Sequence, residues 1–289
     1  MGMHGQSTVG HDLPRVRWFA TIARMCPSTE APRLQPLTIS APFGNYIQPA
    51  GCTATLGTFT AEARPGRVWR IISTVRYYPR LGAWVNRIGL RNPGIDHLAR
   101  RVADGSVDVS DKLVSVHGLD DRQWYMLLDR TAALAPLGVE LNMSCPNIGA
   151  VDWPTDLFRR ASALGVPVVV KLPPVNYHLL FEQAMEAGLR RYHCCNTLAV
   201  RAGGISGKPL KPVTLQCIRD LRALAGDAAG TLTLIGGGGI TTPGDVDDYA
   251  DAGATHFAVG TKVFNPRYLL STAGIEPIRV QAAKRSMAG

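Results

Sequence analysis

The sequence of 289 residues lacks a long apolar run, although 46% of its residues are hydrophobic. A membrane-spanning helix needs about 18 or more consecutive apolar residues, so this absence excludes one. The N-terminus also lacks the basic-then-apolar pattern and small-residue cleavage site of a secretory signal. We therefore expect a cytoplasmic protein whose apolar residues fill one large core.

Cysteine spacings typical of metal ligands are also missing. No CxxC pair and no ligand-like spacing occurs among Cys26, Cys52, Cys145, Cys194, Cys195 and Cys217. Such spacings hold structural zinc and iron–sulfur clusters. The sequence therefore predicts reduced thiols and no metal site.

Acidic residues are fewer than basic ones, 22 against 31, which gives a net charge of +9. Arginines crowd residues 64–87, where tryptophans and tyrosines lie between them. Nucleic acid is one interpretation, but no recognised nucleic-acid motif accompanies the charge. We favour a solvated basic face that attracts small anionic ligands, and we expect no nucleic-acid partner.

Short apolar or β-branched runs alternate with helix-length segments. The predicted strands lie near residues 39–45, 52–58, 113–117, 138–142, 166–171, 190–195, 232–236 and 255–260. Amphipathic helices are predicted near residues 121–136, 154–164, 177–188, 212–226 and 243–253. The alternation indicates parallel βαβ units, and eight strands predict a closed (β/α)8 TIM barrel. Residues 1–36 then form an N-terminal extension to a barrel domain, 37–289, and residues 59–95 a lid or small hairpin over its mouth.

Polar residues follow the C-terminal ends of the predicted strands, where such barrels place their sites. The fourth strand is followed by Asn142, Ser144, Cys145 and Asn147. Lys171 ends the fifth strand, and Asn196 and Thr197 end the sixth. A packed cysteine behaves as a small hydrophobe, so a thiol between side-chain amides indicates chemistry rather than packing.

Glycines follow the last two predicted strands, as GGGGI at 236–240 and GTK at 260–262. Loops at these positions commonly bind phosphate, because bare backbone N–H groups can approach its oxygens closely. A tight turn is the alternative for the glycine run, and a lysine that reaches solvent is the alternative for Lys171. A phosphate pocket with a lysine at mid-mouth favours flavin mononucleotide, because a fixed cation stabilises negative charge on the reduced flavin.

Several motifs, in order, resemble the dihydroorotate dehydrogenase family. They are APFGN (41–45), RPG (64–66), NRIGLRNPGID (86–96), NMSCPN (142–147), VVKLPP (169–174), CNT (195–197), GGISGKPLKP (203–212), GGGGI and VGT (259–261). The set covers most of residues 37–265. Uracil-reducing domains are similar but usually carry another residue after Cys-Pro, so Asn147 favours the orotate branch. A cysteine at 145 in place of serine favours the soluble, class 1-like branch.

The resemblance implies the roles of particular residues. Cys145 would remove a proton from C5 of dihydroorotate while the C6 hydride passes to flavin N5, which yields orotate for pyrimidine biosynthesis. Neutral amides can read both donors and acceptors of a cyclic imide, and the substrate-binding residues would be Asn86, Asn142, Asn147, Asn196 and Thr197. The flavin mononucleotide would be held by Lys171, Gly207, Gly238, Gly239, Gly260 and Thr261.

Two features differ from the family. Its second-strand lysine, which contacts flavin and substrate, is replaced by Gly57. Only six residues separate Asn45 from Cys52, whereas a parallel crossover ordinarily needs a dozen or more. Either the first crossover helix is missing, or the first segment is not a normal barrel strand. We expect residues 10–30 to cover the resulting gap, and a second copy of the chain, as a homodimer, is the alternative.

Two other functions stay open from the sequence. The same flavin barrel could act on a different small cyclic amide or unsaturated substrate, because fold and cofactor outlast substrate. A non-catalytic homologue could instead bind a partner through the arginine-rich residues 64–101.

Overall fold

A computed structural model describes Met1, residues 33–143 and residues 153–287. The strands are β1 (Leu37–Ile39), β2 (Cys52–Phe59), β3 (Arg76–Tyr78), β4 (Ala83–Asn86), β5 (Lys112–Val116), β6 (Gly138–Asn142), β7 (Val168–Lys171), β8 (Arg191–Cys194), β9 (Leu198–Val200), β10 (Gly203–Gly207), β11 (Thr233–Gly237) and β12 (His256–Val259). The α-helices are α1 (Arg67–Thr74), α2 (Ile95–Ala103), α3 (Asp121–Ala132), α4 (Leu157–Ser162), α5 (His178–Glu186), α6 (Lys211–Ala225), α7 (Pro243–Asp251) and α8 (Glu276–Met287). No helix in this part of the chain is both long and apolar enough to cross a membrane.

Eight strands close into a parallel barrel in the order β1-β12-β11-β8-β7-β6-β5-β2, which confirms the predicted (β/α)8 fold. Successive residues of a strand point to opposite faces, and the apolar residues divide accordingly. One set forms a small separate cluster, Leu113, Val169, Ile235 and Ala258. Their strand neighbours, such as Val114 and Val170, belong to the large cluster that also contains the buried faces of the helices. Residues buried on both faces explain why these strands read as continuous apolar runs.

The first segment of the barrel is short but regular. Strand β1 pairs in parallel with both β12 and β2, so it is a normal barrel strand. Residues 40–51 contain a 3₁₀ turn at Phe43–Asn45 in place of an α-helix, which confirms that the first crossover helix is missing. Helix α8 contacts both β1 and β12. The predicted cover, residues 10–30, lies outside the described residues.

The prediction that residues 40–45 continue the first strand is wrong. Pro42 precedes the 3₁₀ turn, and proline has no N–H to donate to a sheet. Gly44 packs against the backbone of β2, where a Cβ would lie 2.3 Å from the carbonyl oxygen of Thr55. The segment therefore folds back against β2 instead of extending β1.

A second, antiparallel sheet has the order β3-β4-β10-β9. Residues 59–95 contribute α1 and the β3–β4 hairpin, and β10 and β9 extend the sheet from the other side. The Trp84 ring stacks on Phe264 at 5.0 Å between centroids. This contact joins the hairpin to the loop that follows β12, so the second sheet is anchored at the C-terminal end of the barrel.

Candidate functional site

A cavity of about 360 Å³ lies between the C-terminal ends of the barrel strands and the second sheet. Its volume falls in the range of small-ligand pockets. Most predicted site residues in the described part of the chain line it, namely Asn86, Asn142, Lys171, Asn196, Thr197, Gly238, Gly260 and Thr261. Ser144, Cys145 and Asn147 lie outside the described residues, so their roles stay predictions.

The other two predicted glycines, Gly207 and Gly239, lie against each other. A Cβ on Gly239 would come within 2.9 Å of the Gly207 carbonyl oxygen. Neither is among the residues that line the cavity. Their contact packs the end of β10 against the loop after β11. The two glycines therefore support the residues that line the cavity, but do not line it themselves.

A chain of hydrogen bonds joins the ends of β2, β6 and β8. The Asn142 Nδ2 donates to Thr58 Oγ1 at 3.0 Å, and Asn196 Nδ2 donates to Asn142 Oδ1 at 2.8 Å. The chain ends with the backbone N–H of Thr197, which donates to Asn196 Oδ1 at 2.8 Å. Because both atoms of the Asn142 amide have partners, its orientation is fixed. We refer to these four residues as the amide chain.

Beneath the amide chain, three ionisable side chains meet inside the barrel. Glu140 is fully buried, with its Oε1 3.7 Å from Lys171 Nζ and its Oε2 2.7 Å from His193 Nδ1. Burial alone would raise the pKa of Glu140, but Lys171 and His193 hold it at about 2. The carboxylate is therefore ionised at neutral pH, and it fixes the Lys171 ammonium at the wall of the cavity.

The tautomer of His193 follows from this geometry. Burial, and then the positive charge of Lys171, lower the pKa of His193, so the imidazole is neutral at pH 7. An ionised carboxylate only accepts hydrogen bonds, so Nδ1 carries the proton and donates it to Glu140. Nε2 is then an acceptor on a ring that lines the cavity.

Sequence reasoning missed Glu140, His193 and Thr58. A signal for Glu140 was present, because it precedes Asn142 by two residues in the same strand, and side chains two apart share a face. His193 precedes Cys195, which also lines the cavity, by two residues. Thr58 follows Gly57 in β2 and looked like an ordinary strand threonine.

Gly57 has no room for the lysine that the family carries at this point. Its φ is +102°, and a Cβ would lie 2.4 Å from the carbonyl oxygen of Ser115. Asn45 holds the glycine through both backbone groups, donating from Nδ2 to its oxygen at 3.0 Å and accepting from its N–H at 3.2 Å. Instead, Arg67 and Arg91 bring cations to the cavity from the lid segment.

The glycine loops after β11 and β12 form a cradle on one side of the cavity. Gly238 has a φ of +106°, and a Cβ there would lie 2.7 Å from Leu210, so only glycine fits. We find no acceptor among the described residues for the backbone N–H groups of Gly238, Gly260 and Thr261. These donors are of the kind that bind phosphate oxygens.

Side-chain hydrogen bonds hold the two loops together. Lys262, in the loop after β12, donates from Nζ to the Thr241 carbonyl oxygen at 2.7 Å, in the loop after β11. Thr242 and Asp245 then form a capping box at the start of α7, which satisfies free N–H groups of its first turn. Side chains of the two loops therefore hold the cradle in place.

These features define a parallel barrel whose ligand site combines a phosphate cradle, a buried lysine and a chain of amides. The family model described as dihydroorotate dehydrogenase matches residues 45–272. The chain belongs to the dihydroorotate dehydrogenase family, whose members are flavin-dependent oxidoreductases that act on CH–CH bonds.

Curated relatives agree with this assignment, and a solved structure shares the fold. Dihydroorotate dehydrogenase B (NAD(+)), catalytic subunit, of Oceanobacillus iheyensis is 33% identical over 216 residues, which are 63% of this chain and 67% of the relative. The protein of that name from Listeria innocua is 31% identical over 68% of this chain and 72% of its own length. The ligand-free DHODH of Eimeria tenella shares the fold, with a TM-score of 0.67 and 18% identity over 88% of this chain and 85% of that one.

Proposed function

We propose that this chain oxidises dihydroorotate to orotate with a bound flavin mononucleotide, a step of pyrimidine biosynthesis. The observation that carries the proposal is the amide chain beside a buried lysine, in a cavity bordered by a phosphate cradle. The names of the relatives from Oceanobacillus and Listeria support the substrate. A cytoplasmic location and a homodimer stay predictions from the sequence.

The described residues fit a flavin mononucleotide. The N–H groups of Gly238, Gly260 and Thr261 would hold its phosphate, and Lys171 would lie at its ring. When bound, the flavin would supply the hydride acceptor for C6 of the substrate. Because Glu140 neutralises Lys171 only at 3.7 Å and without a direct hydrogen bond, the ammonium keeps donors that can turn toward a ligand.

Asn142 has hydrogen-bonding capacity left for a substrate. A side-chain amide has two donor hydrogens and two acceptor lone pairs. Thr58 takes one donor, and Asn196 fills one acceptor site. The remaining donor and acceptor form a pair that matches the alternating N–H and C=O groups of a cyclic imide. Asn86 faces the same cavity from β4.

The general base is proposed to be Cys145. It follows Asn142, which lines the cavity, by three residues in the sequence. A proton next to a carbonyl needs a base within hydrogen-bond reach, on a loop that can exclude water. A thiolate is a competent base near neutral pH once its surroundings lower its pKa.

The same barrel acting on a different small cyclic amide is the second candidate. Gly57 favours it, because the strand position that carries a substrate-contacting lysine in the family is closed to any side chain here. Arg67 and Arg91 would then bind a substrate whose negative charge lies at a different position from that of dihydroorotate.

One experiment separates the candidates. Purified protein is first heated, and the released cofactor is identified by chromatography, where we expect flavin mononucleotide. The flavin-loaded protein is then mixed without oxygen with dihydroorotate and with other dihydropyrimidines, and the flavin absorbance is followed. Bleaching by dihydroorotate supports the first candidate, and bleaching by another dihydropyrimidine alone supports the second. A protein that binds no flavin after reconstitution would contradict both.

A further inference from the structure

A second cavity, of about 430 Å³, adjoins the first and is lined by arginine. Its arginines are Arg64, Arg70, Arg87, Arg91 and Arg201, and its other lining residues are Gly89, Val200 and Gly203. Gly89 and Arg91 also line the first cavity, which we call the flavin cavity after its proposed ligand, so the two cavities share a wall. We refer to the second one as the arginine cavity.

Hydrogen bonds bring three separate segments together around this cavity. The segment at residue 64 exchanges two hydrogen bonds with Asn92, from Arg64 N to Asn92 O at 2.8 Å and from Asn92 N to Arg64 O at 3.0 Å. Arg87 donates to the carbonyl oxygens of both Arg201 and Ala202. These hydrogen bonds hold the three segments in place around the cavity.

The turn between β9 and β10 is fitted closely to β4. A Cβ on Gly203 would lie 2.3 Å from the Asn86 carbonyl oxygen and 2.7 Å from Arg87 Cγ. Only glycine allows this approach, and the approach holds Arg201 opposite the lid segment. Five positive charges held this close repel one another. A bound anion would offset that repulsion.

No carboxylate in the described part of the chain pairs with these five arginines. The arginines that form ion pairs there are others, namely Arg130, Arg159, Arg160, Arg279 and Arg285. The Nε atoms of Arg64 and Arg91 are buried and have no hydrogen-bond partner among the residues that the structure describes. Burying part of a charged group without a partner costs free energy, and an anion beside the guanidinium groups would offset part of that cost through its opposite charge.

We infer that the arginine cavity binds the phosphate groups of a ligand that carries at least two of them. Guanidinium groups bind phosphate oxygens in pairs through their planar fork of donors. A single monovalent anion would leave most of the five charges unmatched, whereas a diphosphate or triphosphate compensates most of them. The inference does not rest on the proposed oxidation, because none of its observations involves the amide chain or the flavin.

The phosphate can come from a soluble molecule or from a lipid headgroup. Helix α1, which carries Arg70, also exposes Val68, Trp69 and Ile72, each more than 60% exposed. Such a helix could rest on an anionic lipid surface. Both sources present the same phosphate chemistry to the arginines, and the test distinguishes them.

The test uses inorganic pyrophosphate and the full-length protein, with binding measured by calorimetry at low and at moderate salt. Arg70→Gln and Arg201→Gln are the informative variants, because both residues are exposed and neither lines the flavin cavity. Each should weaken pyrophosphate binding by about tenfold or more, the scale for losing a charge-assisted hydrogen bond. Arg219→Gln removes the same charge from an exposed position on α6, outside the cavity, and should change binding little.

A second arm measures sedimentation with vesicles that contain cardiolipin, whose headgroup carries two phosphates, against phosphatidylcholine vesicles. Binding to the anionic vesicles that is lost in the Arg70→Gln and Arg201→Gln variants would assign the phosphate to a lipid headgroup. Pyrophosphate binding without vesicle binding would assign it to a soluble ligand. The inference is overturned if neither probe binds, or if Arg219→Gln weakens binding as much as the two cavity variants.

Discussion

Lys171 Nζ lies 3.7 Å from Glu140 Oε1, and both side chains are buried in the barrel beneath the ligand cavity. The two residues lie on adjacent strands, and the carboxylate also accepts a hydrogen bond from His193. Removing one partner of such a buried ion pair strongly lowers the free energy of unfolding, because it leaves a single buried charge without compensation. Both the position of Lys171 and the stability of the barrel therefore depend on Glu140.

Glu140→Gln should destabilise the protein by about 3 kcal/mol or more, since it leaves Lys171 buried without its counter-charge. Urea unfolding measures the change. The double variant Glu140→Gln/Lys171→Met should recover part of the loss, because it removes both charges together. A Glu140→Gln protein as stable as the parent would show that Lys171 does not depend on this carboxylate.

The same carboxylate predicts acid sensitivity. Its folded pKa of about 2 lies below its ordinary value of 4.5, so its contribution is present above about pH 4.5. That contribution is lost as the pH falls toward 2. The parent should therefore lose stability over this range more steeply than Glu140→Gln, and equal slopes would contradict the assignment.

His256 should make the protein less stable at mildly acidic pH. Burial lowers its pKa from 6.5 to about 4, so the unfolded chain takes up a proton before the folded one does. The neutral form thus favours folding above about pH 6.5, and stability falls as the pH drops from there toward 4, by about 3 kcal/mol in all.

Unfolding in urea at pH 7 and at pH 4.5 tests this expectation. His256→Gln should lose less stability between the two pH values than the parent does. His178→Gln, at an exposed position at the start of α5, is the matched control and should follow the parent. If both variants follow the parent, His256 is not the group that responds.

Most of the barrel could be predicted from the sequence because its strands are buried on both faces and stand out as apolar runs. The end of β1 could not, because a three-residue strand and a glycine packed on β2 leave no periodic pattern. The contact between Glu140 and His193 could not be predicted either, because it joins β6 and β8, two strands that are separated in the barrel by β7. The arginine cavity likewise needs residues 64, 87 and 201 to meet, and sequence separation hides that contact.

Cys145 carries the most direct prediction about chemistry. Cys145→Ala should bind flavin normally but slow flavin reduction by dihydroorotate by about two orders of magnitude or more, the scale for a positioned base. Cys145→Ser should retain slight activity that rises with pH, because a hydroxyl is the weaker acid. Stopped-flow absorbance without oxygen gives both rates.

A cysteine outside the cavity gives the control for this experiment. Burial raises the pKa of Cys52 to about 11, so its thiol is protonated at neutral pH and serves packing. Cys52→Ala should reduce flavin at the parent rate, with some loss of stability. A Cys145→Ala protein that also reduces flavin at the parent rate would show that the Cys145 thiol is not the base.

Thr58 tests whether the amide chain positions the substrate. Its Oγ1 accepts from Asn142 Nδ2 and lies 3.0 Å from Ser115 Oγ, so Thr58→Val removes the hydroxyl while nearly keeping the shape. The Asn142 amide then loses one of its two fixed partners and can rotate. We expect flavin reduction to slow by about tenfold, because a misplaced group near the reacting atoms loses alignment, with flavin binding unchanged.

Thr55 provides the matched control on the same strand. Its Oγ1 is buried and has no hydrogen-bond partner among the described residues, so Thr55→Val removes a hydroxyl that bonds to nothing there. Replacing an unsatisfied buried hydroxyl by a methyl group is neutral or stabilising, and the reduction rate should stay at the parent value. If Thr58→Val and Thr55→Val have the same rate, the Thr58 hydroxyl does not position the Asn142 amide for the substrate.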